Sequence, residues 1–65
     1  MNEETKMKIF DSIKNEYKTI KMIANDTGLA RNTVEVYLAY FTGADLIQSK
    51  KYANAKAFKV KKWIK

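Results

Sequence analysis

Apolar residues recur every three or four positions from Met7 to Phe41, and the pattern then changes towards alternation. Over residues 3–17, Met7, Phe10, Ile13 (or Lys14) and Tyr17 form one stripe, with Ile9 at its edge and lysines and acids on the other side. That spacing predicts an amphipathic helix with its apolar face turned inward. Asn2 is placed to cap this helix, and Glu3 and Glu4 suit the positive end of its dipole.

Thr19 is the expected cap of a second helix, because its hydroxyl can accept an otherwise orphaned backbone N–H. Ile20, Ile23, Ala24 and Thr27 then share a face, and Gly28 stands where a helix ends in a left-handed residue. The small Ala24 leaves room for the next helix to cross, and Leu29 plugs the turn into the core. A third helix is predicted from about Ala30 to Thr42, burying Val34, Tyr37, Leu38 and Phe41, with Gly43 closing it. Leu46–Tyr52 and Lys56–Lys62 have β-type content and flank Ala53-Asn54-Ala55, where Asn54 is the residue expected to tolerate a left-handed backbone. Phe58 and Val60 should face the core with Leu46 or Ile47, and Trp63 should pack on Met7, Phe10 or Tyr17. The expected architecture is one α+β domain over residues 1–65, three helices followed by a two-stranded β-hairpin.

Length and composition sharpen this. A core built from 65 residues seldom supplies more than a few kcal/mol by itself. With no Cys and no His, disulfides are impossible and the usual ligands of a zinc site are missing. Self-association as a homodimer is therefore an option, with Trp63, Ile64 and the first helix as its interface. No apolar run approaches the ~20 residues that cross a bilayer, and MNEETKMK does not read as a signal peptide. A cytoplasmic, DNA-associated protein without membrane contact is expected.

Charge points to a partner. Residues 1–29 hold five lysines and five acids, whereas residues 30–65 hold seven lysines and Arg31 against Glu35 and Asp45. The whole formal excess of +6 thus falls in the second half of the chain, as expected of a polyanion binder. Solubilising lysines and lysines that deter strand-to-strand pairing are the plainer explanation. They account for two or three cations, not for seven without an acid over residues 50–65.

The stretch Ile20-Lys21-Met22-Ile23-Ala24-Asn25-Asp26-Thr27-Gly28-Leu29-Ala30-Arg31-Asn32-Thr33-Val34, with its Ala-x-x-x-Gly-Leu turn, resembles the winged helix-turn-helix family of DNA-binding proteins. The similarity spans residues ~5–62, and the chain looks like the small archaeal, plasmid and viral regulators that are pared down to this much. Family members often carry Ser where this chain has Ala30. The resemblance implies a third helix lying in the DNA major groove and a hairpin wing touching the adjacent backbone or minor groove.

Removing the buried stripe of the third helix leaves Arg31, Asn32, Glu35, Val36, Ala39 and Tyr40 outside. Arg31 can pair with guanine or phosphate, Asn32 with adenine, and Glu35 can accept from a cytosine amino group. Val36 suits a thymine methyl, although single exposed apolar residues are common and need no function. Thr33 and Tyr40 are candidates for the DNA backbone; Thr33 has its own backbone as a rival partner, and Tyr40 a second subunit. Lys50, Lys51, Lys56 and Lys59 are the wing's phosphate candidates, while Lys61, Lys62 and Lys65 extend that patch or form a frayed tail. Tyr17, Tyr37, Tyr40 and Tyr52 are too scattered to make a single-strand stacking platform.

Sequence-specific double-stranded DNA binding by a transcriptional regulator is therefore the expected function. Non-specific architectural DNA binding and a protein-interaction module are the alternatives. No catalytic residue, metal, cofactor or small-molecule ligand is expected: the chain lacks His, Cys, a glycine-rich phosphate loop and paired carboxylates on one face.

Overall fold

Asn2 Oδ1 accepts the Thr5 backbone N–H at 3.1 Å, and helix α1 (Glu3–Ile13) starts there. In the computed structural model, which describes residues 2–61, α1 buries Ile9, Phe10 and Ile13 completely. It ends before the predicted Tyr17, because residues 14–16 bend and Lys18–Thr19 become a short strand, β1. The cause is tertiary: β1 hydrogen-bonds to the C-terminal hairpin, a partner that local periodicity does not contain. Met7, placed on the same stripe, lies within α1 but is 36% exposed.

Thr19 Oγ1 accepts the Met22 backbone N–H at 3.3 Å and caps α2 (Ile20–Thr27) as expected. Gly28 takes φ 76° and donates its N–H to the Ala24 carbonyl at 2.9 Å. The Thr27 hydroxyl fixes the turn by donating to the Ile23 carbonyl and accepting the Leu29 N–H. Helix α3 (Arg31–Gly43) then begins at Ala30, which offers no side-chain cap.

The end of α3 differs from the expectation. Gly43 remains helical, and Asp45 takes the left-handed conformation at φ 60°. Leu46 N–H reaches the Phe41 carbonyl at 2.9 Å and Asp45 N–H the Thr42 carbonyl at 3.1 Å, the paired bonds of a Schellman motif. That motif requires its left-handed residue at position 45, beyond the glycine.

Strands β2 (Ile47–Tyr52) and β3 (Ala55–Val60) form the hairpin, and β3 lies in the middle of a three-stranded antiparallel sheet of order β1-β3-β2. The sheet therefore has one strand more than expected. The hairpin turn is Ala53-Asn54, and it is Ala53, not Asn54, that adopts a positive φ, 56°. A two-residue turn places its left-handed residue by strand register, so the more tolerant Asn54 is not at the position that needs it.

The core lies between the helices and one sheet face. Phe10 and Phe41 stack at 4.5 Å in its centre, surrounded by Ile9, Ile13, Ile23, Val34, Leu38, Ile47 and Phe58. Tyr37, Leu46 and Val60 pack on this cluster while remaining half-buried. Tyr37 sets its ring edge on Phe41, and its hydroxyl accepts the Asn2 backbone N–H at 3.2 Å. The expectations for Lys62, Trp63, Ile64 and Lys65, including the dimer interface, fall outside the described residues. Among the described residues, no helix is long and apolar enough to cross a membrane.

Candidate nucleic-acid interface

Val34, Leu38 and Phe41 anchor α3 in the core, which turns the intervening positions outward. Arg31, Asn32, Glu35, Ala39 and Tyr40 are exposed, Val36 is 61% exposed, the most open large apolar residue among the described residues, and Thr33 is half-buried. The outward face therefore has two donor side chains near its N-terminus, one acid, and an apolar strip of Val36, Ala39 and Tyr40. Arg31 and Glu35 cancel in charge. With its charges balanced, this face offers little general attraction to a polyanion.

The hairpin carries the cations, but not as the single patch that the sequence suggests. Ser49 pairs with Phe58 and Ile47 with Val60, so these side chains project towards the helices. Lys51 and Lys56 are direct cross-strand partners in the same alternation and share that face near the tip. Lys50, opposite Ala57, and Lys59, opposite Gln48, project from the other face. Four lysines expected to act together are thus two pairs on opposite sides of the sheet. Among the described residues, none of the four is ion-paired to a carboxylate.

Each pair brings like charges together. Lys51 and Lys56 stand directly across from each other, an arrangement that weakens a strand pair unless an anion intervenes. They border a shallow tip pocket of about 400 Å³, also lined by Ser49, Lys50, Asn54 and Ala55. On the other face, Lys50 Nζ and Lys59 Nζ lie 5.0 and 5.9 Å from the centre of the same Tyr17 ring, within range of its negative π-face.

The helical stripe predicts Tyr17 in the core, as the last apolar position of α1. The approach to strand β1 instead carries it onto the sheet face opposite the core, beside Lys50 and Lys59. The signal that could reveal this is Tyr17-Lys18-Thr19-Ile20, a short β-favouring run following the polar Lys14-Asn15-Glu16. Lys18 projects the other way. Its ammonium pairs with Asp26 on α2, which also accepts the hydroxyl of the buried Ser12 from α1 at 2.9 Å. The Lys18 hydrogen bond foremost, then that of Ser12, holds the Asp26 carboxyl below its ordinary value. The network joins three elements and lies apart from the α3 surface.

No protein-family model, curated protein or solved structure matches this chain.

Proposed function

We infer that this chain is a winged helix-turn-helix protein that binds double-stranded DNA with sequence preference and acts in transcriptional regulation. In this reading α3 enters the major groove. Arg31 and Asn32 supply two-pronged hydrogen bonds to base edges, Glu35 accepts from cytosine, and Val36 meets a thymine methyl. Thr33 and Tyr40 reach the backbone on either side. Lys51 and Lys56 engage phosphate from the hairpin face that turns towards the helices, and counterion release there provides most of the affinity.

The observation that carries this reading is the location of charge. The chain's entire excess of +6 falls in residues 30–65, the half that begins beside α3 and contains the hairpin. A non-specific architectural role is the second reading, favoured by the small and nearly neutral outward face of α3.

Fluorescence anisotropy tests both, using labelled native upstream duplex and a scrambled duplex over a salt series. Preference for the native duplex, reduced by Arg31→Ala and Asn32→Ala, is the expected result. Removing either base-reading side chain should cost about 1–3 kcal/mol of discrimination. Equal, salt-sensitive binding of both duplexes would favour the architectural role, and no binding at low salt would overturn both readings.

A further inference from the structure

The sheet face opposite the core, bordered by the start of α2, is left unused by that function. We propose that it is a separate site for single-stranded nucleic acid, in which one base stacks on Tyr17 while Lys50 and Lys59 take the neighbouring phosphates. The inference rests on the reading of this chain as a nucleic-acid binder, but not on the roles given to α3.

The site is assembled from distant parts of the chain. Pairing of Lys18 with Phe58 and Thr19 with Ala57 brings Tyr17 alongside β3, and Lys50 sits across from Ala57 on β2. Tyr17, Thr19, Met22, Lys50 and Ala57 line a groove of about 170 Å³. A groove of that size takes a single ring and not a row of them. Ala57 matters by being small: a larger side chain in the middle of β3 would fill the groove. Met22, 47% exposed, adds a polarisable thioether at the margin.

The chemistry favours a nucleotide over a simple anion. An inorganic anion would satisfy the lysines and leave the ring idle. A base uses the ring, because stacking tolerates any base identity, and the backbone on either side of it presents phosphate to both ammoniums. In the free protein those ammoniums converge on one ring and repel each other. Lysine stems are flexible enough to swing outward, which opens the ring and separates the charges in a single movement. A base inside a duplex is already stacked on both sides, so the site selects unpaired strands. With one ring only, it holds a strand weakly and locally.

The test is anisotropy of a labelled single-stranded oligothymidylate of about ten nucleotides, alongside the labelled duplex, on the full chain. Tyr17→Ala should weaken oligonucleotide binding by about tenfold, Tyr17→Phe should retain it within about twofold, and duplex binding should stay within about twofold in both. Because Tyr17→Ala removes a packed ring, Lys50→Gln combined with Lys59→Gln provides an independent variant. Its salt slope for the oligonucleotide should fall by about 1.4, at ~0.7 for each single-strand phosphate no longer neutralised. Unchanged oligonucleotide binding in these variants would overturn the proposal. So would equal loss of oligonucleotide and duplex, or displacement of the oligonucleotide by polyglutamate as readily as by unlabelled strand, which would mark a site for acidic peptides. Duplex binding without Tyr17-dependent strand binding would reject this site alone, whereas failure of both ligands to bind would reject the underlying reading.

Discussion

Gly28, Asp45 and Ala53 take φ values of 76°, 60° and 56°, a region that disfavours any side chain with a Cβ. The penalty for an L-residue there is roughly 1–2 kcal/mol, and only one of the three positions is occupied by glycine. A Cβ added at Gly28 would meet nothing within 4 Å, so the backbone alone sets the cost of replacing it. Gly28→Ala should therefore destabilise the protein by about 1 kcal/mol, and Ala53→Gly should stabilise it by a smaller amount, once the extra freedom of glycine in the unfolded chain is subtracted. Equilibrium denaturation of the two variants checks the opposite signs. A drop above ~3 kcal/mol at Gly28 would reveal a steric role that the geometry does not contain. These positions also show what is legible in a sequence. Gly28 announces its turn by being glycine, whereas Gly43 points to a helix end that comes later. Asp45 and Ala53 are left-handed because the Schellman bonds and the hairpin register demand it, and neither residue type signals that locally.

Among the elements, the helices are readable because each carries its own evidence. A buried stripe and a capping side chain lie within a few residues of one another in α1 and α2. In α3 the stripe is present but the cap is missing: Ala30 has the extended backbone of an N-cap, φ −67° and ψ 149°, without an oxygen to accept a first-turn N–H. Ala30→Ser should thus stabilise the fold by about 1 kcal/mol, visible as a higher Tm at constant helical signal. An unchanged Tm would mean that water already satisfies those groups as well as a hydroxyl would. Strand β1 is not readable. It has two residues, its partners are Phe58 and Ala57, and Tyr17 falls by coincidence on the helical repeat set by Phe10 and Ile13. The lysine pairs of the hairpin are legible as residues but not as faces, since the two-residue turn decides which side each one takes.

At the scale of the whole molecule, the links between elements carry the remaining information. Ser12, Lys18 and Asp26 tie α1, β1 and α2 through one carboxylate, whose affinity for protons is lowered in the native state. A carboxyl with a depressed folded pKa adds stability above its unfolded value and loses it as the pH falls through the folded one. The Asp26 contribution is therefore present above about pH 3.8 and is lost on further acidification. Asp26→Asn should lower stability at neutral pH and flatten its decline in acid, as read from Tm across the acid-to-neutral range. Parallel acid profiles in the two proteins would show that the tie adds nothing. Local sequence patterns keep Asp26 away from any catalytic pair but have no means of bringing it to Lys18 and Ser12.

The position of β3 has a further consequence. Among the described residues it follows every other element, yet it occupies the centre of the sheet, where β1 and β2 both depend on it. Lys18 waits for Phe58, far downstream, before it has any strand to pair with. While the chain is being synthesised, the helices can emerge and form, but the β1 pairing cannot start until β3 has left the ribosome. The first strand of the sheet is thus among the last of the described elements to find its partner.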